Sequence, residues 1–262
     1  MDLSRKHVEQ FIADGYVRVE QAFSRQLADE CREILWADMD CDPGDPSTWQ
    51  QPVVWLGGYA QTPFLQAANT PRLHRAFDQL VGEGNWRPCR GLGSFPVRFP
   101  TSEDTGDTGW HVDASFAGKD SDPNDVLSYH INVYSRDRAL LMLFLFSDVG
   151  EQNAPTRLRV GSHRAVAQML EPAGEEGLSF LELSARLGAT ADCPEAIATG
   201  EAGTVYLCHP FLVHAAQINR GSQPRLMAQP PLLPVKPFEL TGKESSSYLP
   251  VEQAIRSALE KA

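Results

Sequence analysis

The sequence predicts a mainly β protein with flanking helices, its β part suited to a double-sheet jelly-roll core. Three observations predict this. Helix-patterned segments come first, within residues 1–90. Short strand-like runs bounded by Gly, Pro, Asn or Asp follow over 91–235, the pattern of a sheet protein made of many short strands. A tail with one more helix occupies 236–262. No repeat, low-complexity segment or linker divides the 262 residues, so a single domain is expected.

Taken in order, Ser4 precedes Val8, Phe11 and Ile12 at helical spacing and Gly15 follows them, which predicts a capped helix with a glycine stop. Tyr16–Val19 alternates as a brief strand. Ser24 opens a second helix to about Met39, with Leu27, Cys31, Ile34 and Leu35 on one face. Asp, Pro and Gly make Cys41–Gln51 a loop. Thr70-Pro71 starts a third helix with proline in its first turn, and Leu73, Phe77, Leu80 and Val81 line its apolar face. Leu92–Phe99 reads as extended, and Thr101–Gly109 as a polar loop that could act as a lid. Leu127–Tyr134 and Ala139–Phe146 are strand-like, the second so apolar that both faces should be covered. Arg157–Val160 is another short strand, while Ser162–Leu170 and Leu178–Leu187 are expected as helices. Ala196–Thr199, Gly203–Cys208, Phe211–Ala215 and Arg225–Leu233 complete the strands, and a last helix runs from about Val251 to Leu259.

Bulk properties exclude several classes of function. Acidic residues number 34 against 23 basic, a net charge of −11. There is no basic stripe of the kind nucleic acid requires, and anionic membrane surfaces are disfavoured for the same reason. No apolar stretch follows the first residues, so no secretory signal is expected. The longest apolar run, Ala139–Phe146, is far too short to span a bilayer. Cys31, Cys41, Cys89, Cys193 and Cys208 are scattered without a Cys-x-x-Cys pair. Neither a disulfide framework nor a thiolate zinc site follows, and a reducing cytoplasm is the expected setting.

Chemistry enters at Trp110-His111-Val112-Asp113. On a strand, residues two apart point to one face, so one imidazole and one carboxylate can share an ion. His209 and His214 then lie on late strands, and Arg225 follows on what reads as the next one. Either late histidine could complete the set; the spacing to Arg225 favours His214, which leaves His209 to pack near the site. Two histidines and one carboxylate on one face of an octahedral ion leave three positions open, the geometry of non-haem iron(II) oxygenases. A dicarboxylic co-substrate there needs a cation for its far carboxylate, and arginine supplies a planar two-pronged donor.

These residues resemble the phytanoyl-CoA dioxygenase family of iron(II)/2-oxoglutarate oxygenases. The opening Phe11-Ile12-Ala13-Asp14-Gly15-Tyr16-Val17, the His111-Val112-Asp113 motif and Gly161-Ser162-His163 all match. So does the late pattern of His214, Asn219, Arg220, Ser222 and Arg225, and the likeness spans about Phe11 to Leu232. It implies a double-stranded β-helix, the cupin-like jelly roll, with His111, Asp113 and His214 holding Fe(II). It further implies that Arg225 binds 2-oxoglutarate, with O2 as the other co-substrate. The implied reaction is hydroxylation of an unactivated C–H in a small metabolite or natural-product intermediate, with release of succinate and CO2. Related halogenases have a small residue in place of the carboxylate; Asp113 fills that position, so halogenation is not expected. The chain departs from the family pattern at Asn153-Ala154-Pro155-Thr156, Val160, Thr204 and Ala216, which leaves the metal set intact.

Further candidates surround this set. Tyr206 is positioned in sequence to hydrogen-bond the co-substrate and Phe144 to pack beside it, although Phe144 also suits a core role. Arg98, within an apolar strand, and Arg159, on the strand before Gly161, are candidates for binding an acidic group of the substrate. Trp110 reads as a buried aromatic, and His163 as a cap on the helix after Gly161. The rival reading is a cupin-like metal binder or isomerase, or a family member without turnover; cupin sites use more histidines and do not need the late arginine.

Overall fold

The apolar periodicity of the first ninety residues produces helices whose ends are set by side-chain caps. The computed structural model describes residues 2–122, 124–242, 244 and 247–260. Helix α1 (Arg5–Asp14) begins where the Ser4 hydroxyl accepts from the His7 amide at 3.3 Å and ends at Gly15. Gly15 has φ +86, and a Cβ there would lie 2.5 Å from His163 Nδ1, so both the backbone sign and the space require glycine. Helix α2 (Arg25–Ala37) is capped by Ser24, and buries Ala28, Cys31 and Leu35. Helix α4 (Pro71–Val81) is capped by Thr70 with proline in its first turn, as the sequence predicts.

Between these lie two elements that the sequence reading passes over, a strand β2 (Val53–Leu56) and a short helix α3 (Thr62–Ala68). The β2 residues pair with β3 (Phe95–Arg98) in antiparallel register, Val53 opposite Arg98. Their pairing is non-local, which periodicity over four residues does not reveal.

A five-stranded antiparallel sheet is built from β1 (Tyr16–Val19), β9 (Val205–Cys208), β5 (Leu140–Leu145) and β11 (Met227–Ala228), with β12 (Pro231–Leu232) also pairing β5. A three-stranded sheet runs β10 (His214–Ala215), β6 (Arg157–Arg159), β8 (Glu195–Ile197). The wholly apolar β5 divides its side chains by parity. Leu140, Met142 and Phe144 join the large core formed with the helices, while Leu141, Leu143 and Leu145 join a second core with Leu158 and Ala198 from the smaller sheet. Both faces are therefore covered, which explains the unbroken apolar run.

Several expected elements are shorter than the pattern suggested. Of Leu127–Tyr134 only His130–Ile131 is a strand (β4), pairing with Leu178–Ser179 (β7). The expected helix over Leu178–Leu187 is that strand followed by one turn of helix, Phe180–Ser184 (α6), opened by a Ser179–Glu182 capping box. Arg225–Leu233 is divided at Gln229-Pro230, because proline cannot donate to a ladder. Helices α5 (Ser162–Leu170) and α7 (Pro250–Leu259) match their expected positions and pack on each other. No helix among the described residues is long and apolar enough to cross a membrane.

Candidate metal centre

Two histidines far apart in sequence meet through the backbone. The His111 amide donates to His214 O at 2.9 Å, and the His214 amide returns a bond to His111 O at 3.0 Å. Directly opposite residues of an antiparallel bridge project to one face, and the two ring centroids lie 4.4 Å apart. The segment carrying His214 is fixed in turn by helix α5, whose Ser162 hydroxyl accepts from the Val213 amide at 2.9 Å. Asp113, two residues beyond His111, brings its Oδ1 to 3.7 Å from His111 Nε2 and 3.6 Å from His214 Nε2.

The tautomers follow from the remaining ring nitrogens. His111 Nδ1 lies 2.9 Å from Gly109 O and His214 Nδ1 lies 3.0 Å from Leu212 O. A carbonyl can only accept, so each Nδ1 carries a hydrogen and each Nε2 is the nitrogen left to face Asp113. Burial, then the neighbouring His214, pushes the His111 pKa down, which keeps the ring neutral. Burial would raise the Asp113 pKa, but Arg138 above all, with both histidines, holds it well below the usual carboxylate range. Arg138 Nη1 sits 3.3 Å from Asp113 Oδ2, on the side away from the imidazoles. The three donor atoms lie within 4.8 Å of one another. Two imidazole nitrogens, an ionised oxygen donor and outer hydrogen bonds that orient them fit a divalent transition metal.

The centre opens into a cavity of about 560 Å³, within the range of small-molecule sites. Arg225 lines it, fully buried, with Nη1 donating to Ala154 O at 2.7 Å and Nη2 to Pro96 O at 3.0 Å. Burial, then Arg98, lowers the Arg225 pKa to about 9, still cationic at neutral pH. Arg98 also lines the cavity and pairs with Asp107 of the 101–109 loop. Trp55, 61 % exposed, and Leu127, 45 % exposed, stand in the wall with Trp110 and Phe180. A larger groove of about 830 Å³, lined by Arg87, Cys89 and Arg90, lies elsewhere. None of its lining residues belongs to the metal-ligating cluster found among the described residues.

A model of the phytanoyl-CoA dioxygenase (PhyH) family matches residues 11–227. The chain belongs to this family. Solved structures of similar fold include the α-ketoglutarate-dependent carbocyclase SnoK from nogalamycin biosynthesis, at 18 % identity over 88 % of this chain and 83 % of that one, TM-score 0.58. HygX from Streptomyces hygroscopicus, with nickel, 2-oxoglutarate and hygromycin B bound, is 18 % identical over 90 % of each chain, TM-score 0.56. EctD from S. alaskensis, with 2-oxoglutarate and 5-hydroxyectoine, is 22 % identical over 88 % of this chain and 75 % of that one, TM-score 0.55. No curated protein matches the sequence.

In this PhyH-family chain, His111, Asp113, His214, Arg225 and Arg98 converge on one cavity, and three other candidates do not. Phe144 projects from the opposite face of β5 and packs on Phe23, with ring centroids 6.0 Å apart. The Tyr206 hydroxyl donates to Thr199 O at 2.7 Å and its ring stacks on Tyr16, so neither reaches the cavity. Arg159 donates to Leu187 O and Thr190 Oγ1 at 3.0 and 2.8 Å and lies over the Trp110 ring, serving the 187–190 turn and not a ligand. His209 is buried among Phe11, Phe211 and His163, away from the metal cluster, with Nε2 donating to Val251 O. His163 is not a cap: it is buried inside α5, with Nε2 donating to Ile12 O at 3.2 Å, and Gly161 takes the N-cap position. Sequence reasoning missed Arg138 and Asp107. Arg138 follows Arg136 and Asp137 at the entrance to an apolar strand with nothing to single it out, and nothing distinguishes Asp107 from Glu103 and Asp104 in the same loop.

Proposed function

We propose that the protein is an iron(II)- and 2-oxoglutarate-dependent oxygenase that hydroxylates a C–H of a small molecule. His111, Asp113 and His214 are its metal ligands, and Arg225 anchors the far carboxylate of the co-substrate. The observation that carries this reading is the meeting of two imidazole Nε2 atoms and one ionised carboxylate at a cavity whose wall contains a fully buried guanidinium. The two facing antiparallel sheets support a double-stranded β-helix within one catalytic domain, and five unpaired cysteines suit a cytoplasmic setting.

When bound, iron supplies the oxidising chemistry, coupling O2 to decarboxylation of 2-oxoglutarate to succinate and CO2. The chain's own residues do the rest. Gly109 O and Leu212 O hold the two Nδ1 hydrogens, so both imidazoles turn Nε2 to one face. Arg138 engages Asp113 Oδ2, which directs Oδ1 to the metal position and leaves the opposite face open. Arg225 offers charge-assisted hydrogen bonds to a carboxylate in a site shielded from water, where they are strongest. Trp55, Trp110 and Phe180 give the cavity apolar wall for the organic body of a substrate. The small-molecule ligands of HygX and EctD support a substrate of that kind.

The test is anaerobic addition of Fe(II) and 2-oxoglutarate. A visible charge-transfer band is expected, absent in His214→Ala. Wild type that binds both components without the band overturns the assignment. SnoK, a carbocyclase on the same fold, favours a second outcome at the same centre. Product mass separates them, since hydroxylation adds an oxygen and ring closure removes two hydrogens.

A further inference from the structure

Two buried arginines stand side by side in the cavity wall, and one acid, Asp107, pairs with the first of them, Arg98. Arg98 ends β3 and faces Arg225 across a backbone bridge, donating to Arg225 O at 3.1 Å and accepting from the Arg225 amide at 2.9 Å. Opposite residues of such a bridge share a face, and both side chains line the metal cavity at 2 % and 0 % exposure. Like charges directly opposite destabilise a strand pair, and a buried cation without a counter-charge is costly. Among the described residues this couple has one ion-pair partner, Asp107. The Nε atoms of both arginines are buried without a hydrogen-bond partner, as are those of Arg72, Arg138, Arg157, Arg159 and Arg164, so it is the charge balance that sets this couple apart. Two guanidiniums and one acid make a site that lacks one anion.

Asp107 is itself poorly anchored for a counter-ion. It lies in the 101–109 loop between Gly106, at φ +73, and Gly109, with 29 % of its side chain exposed. Its other side-chain partner, the Thr105 hydroxyl at 2.6 Å, belongs to the same loop. Thr105 also accepts from Arg98 Nη1 at 3.3 Å. The loop therefore meets the arginine couple through groups that an incoming carboxylate can replace.

We propose that Arg98 and Arg225 together seat the far carboxylate of the 2-oxo dicarboxylic co-substrate, and that Asp107 holds Arg98 in its absence and competes for it. This rests on the oxygenase reading above and adds a second arginine to the co-substrate site. A carboxylate between the guanidiniums supplies the missing charge. It also loosens the Asp107 contact, which couples the 101–109 loop to co-substrate occupancy.

The test compares 2-oxoglutarate with pyruvate, which chelates a metal through the same oxo-acid group but has no far carboxylate. Affinities are measured by calorimetry on Mn(II)-loaded wild type, Arg98→Met, Arg98→Lys and Asp107→Asn. Arg98→Met is expected to weaken 2-oxoglutarate roughly ten- to hundredfold, the worth of one hydrogen bond to a charged group. Pyruvate and Mn(II) affinities should stay unchanged, and Arg98→Lys should recover part of the loss. Asp107→Asn should bind 2-oxoglutarate more tightly than wild type, because a competitor is gone. An Asp107 that merely held Arg98 in place would give the opposite sign. Weaker binding in Asp107→Asn, or an unchanged preference for 2-oxoglutarate over pyruvate in Arg98→Met, overturns the proposal. Should Arg98→Met not fold, the sign in Asp107→Asn decides alone. Wild type that takes up Mn(II) but neither oxo acid overturns the oxygenase reading, and this proposal with it.

Discussion

Asp113 shows how much of a metal centre is decided by neighbours that touch no metal. Its Oδ1 faces two imidazoles and its Oδ2 faces Arg138. Outer partners of this kind are typically worth about 10–100-fold in metal affinity. Arg138→Met should weaken Mn(II) binding by roughly that factor while the urea midpoint moves little, and Arg138→Lys should restore most of it. A metal titration of the three proteins checks this; an unchanged affinity in Arg138→Met contradicts the positioning role. The candidate ligands were legible in the sequence because residues 111 and 113 stand two apart and Arg225 follows His214 at a telling distance, although only an isolated β-bridge at His111, and no strand, carries the pair. Arg138 was not, because its approach depends on a turn in which Ser135 and Asp137 take φ of +46 and +65 and the Ser135 hydroxyl bonds Arg138 O. No local pattern encodes that geometry.

Strand β5 carries the clearest lesson among the elements. Its composition gave no way to tell one face from the other, and Phe144 was therefore open to a role beside the co-substrate. Pairing with β9 and β11 fixes the parity and sends Phe144 to the helices. Phe144→Ala should cost about 3–5 kcal/mol of stability through the cavity it leaves, with Mn(II) affinity retained. Urea denaturation beside a metal titration checks both, and loss of metal binding in a folded variant would contradict the assignment of faces. Capped helices such as α1, α2 and α4 were legible because each start is a local hydrogen bond from Ser or Thr. Two-residue strands such as β10 and β11 were read too long, since their limits are set by partners distant in sequence.

At the scale of the molecule, the helical flank is joined to the β core through buried neutral histidines, and this makes the fold sensitive to acid. Burial lowers the His163 pKa from 6.5 to about 4 and the His209 pKa well below 6.5. Both ionise near 6.5 when unfolded, so below that pH the unfolded chain binds more protons. Stability is full above pH 6.5 and falls as pH drops through it, by up to about 1.4 kcal/mol per pH unit for each ring. The share of His163 levels off near 4. Urea midpoints near pH 7.5 and ~5.5 should differ accordingly, and His163→Gln should shrink the difference; a flat profile contradicts the buried neutral state. That helices and antiparallel sheets share one fold was legible from the order of patterns alone, whereas the pairing of β2 with β3 was not.

The reciprocal amide bonds between residues 111 and 214 mean that backbone pairing itself brings two of the three donors together. Proteins whose ligands meet only around their metal unfold when it is removed. A histidine pair seated on its own β-bridge is expected to let one divalent ion be exchanged for another by chelation and reloading, with no denatured state between.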